Sequence, residues 1–279
     1  MQNYIIVSLK RRYNRLFLWY NLRGDIMKIL SKGSYKGSRK YNDDIIGNSK
    51  DVYYVIDGST AVFNDNKFFK TSDLYEYMQL LNKNIKDSGS VIGSLKTGIV
   101  NSNSKIKGIE KYKEYELPTF TIGAVKEYDT DIEVFVLCDV LITILYNDGR
   151  IGHFQDKRIN VTKRICRDRN IEIRELDIPQ EEKDKLLLEN EQETRKKANQ
   201  EGGFPVGSTN PASIDQGYIL RLPKVTMKKI LICSDGMYNW RKADEIDEKY
   251  FDKEYLEEKV QEMLKEENRD DLSYMLLEV

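Results

Sequence analysis

The chain has 279 residues, 40% hydrophobic and 33% charged, and its 45 basic residues almost cancel 46 acidic ones. That balance argues against a general nucleic-acid binder, which carries a basic surplus over a whole face, and no apolar run nears the ~18 residues that would indicate a membrane partner. Cys138, Cys166 and Cys233 are widely spaced without a Cys-x-x-Cys pair, and His153 is the single histidine, so a disulfide framework, a thiolate zinc site and most histidine chemistry are disfavoured.

A reducing, cytoplasmic setting is expected, with His153 an ordinary strand or loop residue. Residues 1–26 differ from the rest: Lys10, Arg11, Arg12, Arg15 and Arg23 face one acid, Asp25, amid Phe17, Leu18, Trp19 and Tyr20. The apolar Tyr4-Ile5-Ile6-Val7 precedes the charge and is short, which is the wrong order for an export signal. Residues 1–26 are therefore expected to be a basic extension or an upstream start, ahead of one domain over 27–279.

Met27-Lys28-Ile29-Leu30 opens that domain as a strand, and Asp51 to Ile56 forms another that ends at Asp57-Gly58. Behind the caps Ser72 and Asp73, the spacing of Leu74, Met78, Leu81 and Ile85 predicts a helix with one apolar stripe. Gly89 to Gly108, rich in Ser, Gly, Asn and Lys, reads as loop and turn. Three β runs follow, Thr121–Val125, Ile132–Leu137 and Leu141–Tyr146, the last closing on the turn Asn147-Asp148-Gly149. Residues 180–201 read as a solvated helix stopped by Gly202-Gly203, and 205–211 as a turn-rich loop. Lys229–Cys233 is a buried strand ending in Ser234-Asp235-Gly236. Tyr255–Glu267 is a helix with Leu256, Val260, Met263 and Leu264 inward, and Leu272–Val279 a final strand. The mixed order of elements favours an α+β fold with largely antiparallel sheets.

The informative pattern is where the aspartates fall. Asp57 and Asp235 end apolar strands and precede glycine, Asp43-Asp44 and Asp270 precede strands, and Asp139 interrupts one between Cys138 and Val140. Any single Asp-Gly pair is an ordinary turn. Several carboxylates within ~4 Å, however, would repel by about 4 kcal/mol per pair at an effective dielectric of ~20, so a cluster persists only if protonated or occupied by cations. Hard oxygen donors without His or Cys select Mg²⁺ or Mn²⁺ over Zn²⁺, and two such ions activate a water against a phosphoryl group.

At these residues the sequence resembles the metal-dependent serine/threonine protein phosphatases of the 2C type, the PPM family. Arg39-Lys-Tyr-Asn-Asp43-Asp44 is similar to the family's Arg-x-x-x-Glu-Asp element, and Tyr54-Val-Ile-Asp57-Gly58 to its Asp-Gly motif. Val136-Leu-Cys-Asp139 resembles the strand carrying Gly-Asp-Ser, and Ser234-Asp235-Gly236-Met-Tyr-Asn the Ser/Thr-Asp-Gly element. Arg269-Asp270-Asp271-Leu272-Ser273 matches the closing Asp-Asn element, and the five motifs stand in family order.

The resemblance implies a central antiparallel β-sandwich flanked by helices, a dinuclear Mn²⁺ or Mg²⁺ centre, and phosphoserine or phosphothreonine proteins as substrate. In it Asp57 would bridge both ions, with the Gly58 carbonyl on one of them. Asp43 would take the place of a metal-shell glutamate with Asp44 beside it, and Asp235 and Asp270 would complete the more buried ion's shell. Asp139 matches the acid of a third, looser ion, and Arg39 would hold the substrate phosphate with its planar fork.

The chain departs from the family pattern at several places. Where many members read Asp-Gly-His-Gly-Gly, this chain has Asp57-Gly58-Ser59-Thr60-Ala61, so the histidine proposed as general acid is absent. General acid help is worth ~10²- to 10⁴-fold, so its loss slows turnover without abolishing it. Asp271 replaces asparagine, and Cys138 and Val140 flank Asp139 in place of the usual residues, which places the chain among divergent, bacterial-looking members. Asp129-Thr-Asp131-Ile-Glu133 precedes its strand, unlike an aspartyl-phosphate loop, and neither a cysteine-phosphatase loop nor a P-loop is present. The competing expectation is an inactive descendant that keeps the fold as a phosphate-sensing or partner-binding module.

Overall fold

The computed structural model describes residues 26–237 and 245–279. The basic extension therefore lies almost wholly outside the described residues, as do Tyr238 and Asn239 of the fourth motif. In chain order the strands are β1 (Lys28–Tyr35), β2 (Ile45–Ser49), β3 (Val52–Gly58), β4 (Thr119–Glu127), β5 (Asp131–Leu137), β6 (Leu141–Tyr146), β7 (Ile151–Phe154), β8 (Gly207–Ser208), β9 (Tyr218–Pro223), β10 (Met227–Cys233) and β11 (Leu272–Glu278). The α-helices are α1 (Asp73–Asn84), α2 (Val91–Asn103), α3 (Asn160–Glu175), α4 (Gln180–Lys196) and α5 (Lys253–Met263).

The strands form two antiparallel sheets, ordered β1-β11-β10-β6-β7 and β2-β3-β4-β5-β9, with β8 added to β4. Alternation along each strand builds the layers. Tyr53 and Val55 of β3, Ile142 and Ile144 of β6, Ile230 and Ile232 of β10, and Met275 and Leu277 of β11 meet between the sheets. Their neighbours point outward. Val52, Tyr54 and Ile56 pack under α1 and α2, while Leu231, Cys233, Tyr274 and Leu276 pack under α5. Helices thus cover both outer faces of an α+β sandwich.

Gly89 to Gly108 is not the loop its composition suggests. Ser90 caps α2 by accepting the Gly93 N–H, and Val91, Leu95 and Ile99 are buried against α1 at helical spacing. Two glycines cost about 1 kcal/mol each and the serines less, whereas burying three such side chains stabilises by about 1.5–3 kcal/mol apiece. Packing wins. The serines also fold back onto the helix, Ser94 Oγ donating to the Ser90 carbonyl at 2.7 Å and Ser102 Oγ to that of Gly98 at 2.8 Å. Among the described residues, no helix is long and apolar enough to cross a membrane.

Candidate functional site

Register brings the acids to one end of the sandwich. Cys233 at the end of β10 sits opposite both Leu141 at the start of β6 and Tyr274 near the start of β11. Asp235, Asp139 and Asp270, each within a few residues of those ends, therefore emerge together. In the other sheet Ile45 opens β2 opposite Ile56 of β3, so Asp43-Asp44 arrive beside Asp57-Gly58. The chain passes from one sheet to the other through Cys138-Asp139-Val140, and Cys138 makes that crossing in the left-handed region at φ 67°, a conformation costing a non-glycine residue roughly 1–2 kcal/mol.

Hydrogen bonds lock the two sheets at this end. Ser234 Oγ donates to Asp44 Oδ2 at 2.8 Å and accepts the Ser273 N–H at 2.9 Å. Asp271, buried, accepts the Gly37 N–H on one oxygen at 2.6 Å and the Asp43 N–H on the other at 2.7 Å. The glycines of the two Asp-Gly pairs are set by close approach: a β-carbon on Gly236 would stand 1.8 Å from the Asp271 carbonyl oxygen, and one on Gly58 2.7 Å from that of Asp43. Arg39 reaches Asp270 from the β1–β2 connection at 3.2 Å.

Burial and crowding raise the pKa values of these carboxyl groups, so that they give up their protons less readily. Burial, then the charge of Asp271, pushes Asp43 up to about 7. Burial also lifts Asp44 to about 7 despite the opposing hydrogen bond from Ser234. Asp57 stands well above its ordinary value through desolvation and then the charges of Asp44, Asp235, Asp139 and Asp270. Asp235 rises to about 6 by desolvation and the charge of Asp139, with Lys163 pulling the other way. Such mutual destabilisation is relieved by protons or by cations.

No protein-family model matches this sequence, and no curated protein does. Solved structures do match. Serine/threonine phosphatase Stp1 from Staphylococcus aureus is similar over 97% of this chain and 99% of its own, with a TM-score of 0.56 and 12% identity. The Mycobacterium tuberculosis serine/threonine phosphatase PstP/Ppp is similar over 91% and 98%, with a TM-score of 0.55 and 14% identity. The catalytic domain of serine threonine protein phosphatase PstP, in complex with 2 manganese ions, is similar over 90% and 97%, with a TM-score of 0.54 and 13% identity. The chain has the protein phosphatase 2C-like fold.

At such identities the likeness carries the fold, and the chemistry rests on the residues. Within the phosphatase 2C-like frame, all the acids singled out from the sequence sit at the same end of the sandwich. Among the described residues, no three carboxylates already converge as closely as one ion's coordination shell requires. The donor set nevertheless suits a hard divalent ion: it is all oxygen, its charges oppose one another, and Asp43 Oδ1 is buried with no hydrogen-bond partner among the described residues.

Two features of this site have no signature in the sequence. Lys163, in the first turn of α3, places its ammonium against Asp139 Oδ2 and 3.4 Å from Asp235 Oδ2. Burial lowers its pKa, but Asp139 and Asp235 more than offset this and hold it above the lysine norm. It is one basic residue among Lys157, Arg158, Arg164, Arg167 and Arg169, and nothing in the spacing marks it out. The second is α4, which clamps the loop after Gly58: Gln192 Nε2 donates to the Val62 carbonyl at 2.8 Å, and Arg195 to that of Thr60 at 2.8 Å. The solvated helix expected over 180–201 thus secures the segment where the family carries its histidine. His153 occupies β7 opposite Thr143, whose hydroxyl lies 3.2 Å from Nδ1. Beside the acids, Arg39, Lys40, Tyr41, Asp43, Thr60 and Asn64 line an open cleft of about 390 Å³.

Proposed function

We propose that the chain is a Mn²⁺- or Mg²⁺-dependent phosphoprotein phosphatase that hydrolyses phosphoserine and phosphothreonine monoesters. One observation supports it above others: Asp43, Asp44, Asp57, Asp139, Asp235 and Asp270 come from separate segments to a single end of the sandwich, and four of them resist ionising together. Two divalent ions held there would lower the pKa of a bound water to give a nucleophile at neutral pH and would polarise the phosphoryl oxygens.

The protein's own groups set the rest. Asp57, which feels the charges of Asp44, Asp235, Asp139 and Asp270 together, would be a principal ligand of the ions, with the Gly58 carbonyl beside it. Asp43 and Asp44 would hold metal from the side of the second sheet, and Asp235 and Asp270 from the side of the first. Arg39 exchanges Asp270 for the substrate phosphate, where its fork gives two parallel charge-assisted hydrogen bonds. The residues flanking the phosphoamino acid lie in the cleft along Lys40, Tyr41 and Asn64. Ser59 stands in the place of the family's histidine, so the leaving alkoxide takes its proton from water.

Phosphate release from a phosphothreonine peptide tests this. The wild type is expected to turn over with Mn²⁺ and to stop with EDTA, and Asp57→Asn or Asp235→Ala to lose at least ~10²-fold in kcat/KM, as loss of metal-based catalysis implies. Undiminished activity in both variants would reject the site, and an inert wild type that still binds phosphopeptides would favour the binding-module reading.

A further inference from the structure

Lys163 enters the acid cluster from a helix instead of from the sandwich. Its ammonium lies between Asp139 and Asp235, in contact with the first and 3.4 Å from the second. The Asp139 side chain is almost fully buried, while the Lys163 side chain as a whole is 44% exposed.

The arm is anchored at its base. Asp156, fully buried, accepts the Cys138 N–H at 3.2 Å and returns its own N–H to the Cys138 carbonyl at 3.1 Å. Its carboxylate also takes a two-pronged hydrogen bond from Arg158, at 2.9 and 2.7 Å, and Arg158 in turn donates to the Gln216 carbonyl at 2.6 Å. The segment leading into α3 is therefore bolted to the very turn that presents Asp139. The Gln155 side chain adds a bond to the Asp139 carbonyl at 3.1 Å. Lys163 and Asp139 are held in register by buried groups.

We infer that the Lys163 ammonium is a built-in replacement for a third divalent ion, so that this site takes two metal ions and fills the remaining cation position, on Asp139, with its own side chain. The inference rests on the metal-dependent reading above. A single positive charge on a fixed tether neutralises Asp139 without any demand on ambient Mn²⁺ or Mg²⁺. It has no coordination position, so it cannot lower the pKa of a bound water as a metal ion does. Its longer arm to Asp235 is the weaker one, which leaves Asp235 available to the metal pair while Asp139 stays matched to Lys163.

The test is a count of bound Mn²⁺ per chain, by equilibrium dialysis at saturating metal with elemental analysis, on the full chain. Wild type is expected to hold two ions, Lys163→Met three, Lys163→Arg two because a cation is restored, and the double variant Lys163→Met/Asp139→Asn two. Equal counts in wild type and Lys163→Met, or three ions in wild type, would overturn the inference while leaving the metal-dependent reading intact. A wild type that binds no Mn²⁺ would overturn that reading and the inference with it. Circular dichroism checks the fold of each variant. Should Lys163→Met fail to fold, Lys163→Gln carries the same expected count, and the wild-type count alone still decides against the inference if it is three.

Discussion

Asp271 stands where the resembled motif has asparagine, and its contacts give the physical reason. Each carboxylate oxygen accepts a different backbone N–H, from Gly37 and from Asp43, and so fixes both ends of the segment that carries Arg39. An amide has one acceptor oxygen and would turn its NH₂ group toward the other donor. Asp271→Asn is therefore expected to cost about 1–3 kcal/mol, the penalty of a buried unsatisfied donor, measured by chemical denaturation. It should also raise KM more than it lowers kcat, through the displaced Arg39. An Asp271→Asn protein of wild-type stability would refute this account of the segment. At this scale the sequence was informative because each acid sits in a short, ordered motif. Lys163 was not legible, since a contact between residues 24 positions apart leaves no local trace.

The α2 helix was the segment hardest to read. In α2 the spacing of Val91, Leu95 and Ile99 held the signal, but Gly93, Gly98 and five serines from 88 to 104 outweighed it in any judgement by composition. The helix exists because α1 and the β3–β4 face give those three side chains somewhere to pack, which a local reading does not supply. The strands were easier, since alternating apolar residues appear at period two whichever sheet receives them. At the base of α3, Asp156→Ala would leave the Cys138 N–H without its acceptor and Arg158 without its carboxylate. A loss of about 2–3 kcal/mol is expected, below the full cost of a deeply buried pair because Arg158 is partly exposed. Denaturant titration measures it, and a change under ~0.5 kcal/mol, the level of an ordinary surface substitution, would show that α3 is held some other way.

For the whole molecule, the acid cluster couples folding to pH and, on the proposed function, to metal. Asp43 and Asp44 titrate near 7 and Asp235 near 6 when folded, against about 3.9 in the unfolded chain. Between those limits the native state holds more protons than the unfolded one. The contribution of these groups is complete below pH ~4 and is lost as pH rises through ~7. Metal-free protein should therefore lose stability across that window, and Asp43→Asn should lose less. Saturating Mn²⁺ replaces the protons, so its stabilisation should grow with pH. Thermal denaturation with Mn²⁺ and with EDTA at pH 5 and pH 8 reads this directly: a larger Tm increase at pH 8 is expected, and equal increases would mean that the ions bind away from these carboxyls.

The central claim is that carboxyl groups from both sheets gather at one end of the sandwich to hold divalent ions. Manganese-edge anomalous scattering from crystals grown with Mn²⁺ tests it most directly. The account predicts two peaks that share Asp57, flanked by Asp43 on one side and Asp235 and Asp270 on the other, with Lys163 still on Asp139. Manganese peaks that avoid Asp57, or none at all in crystals of folded protein at saturating metal, would contradict it.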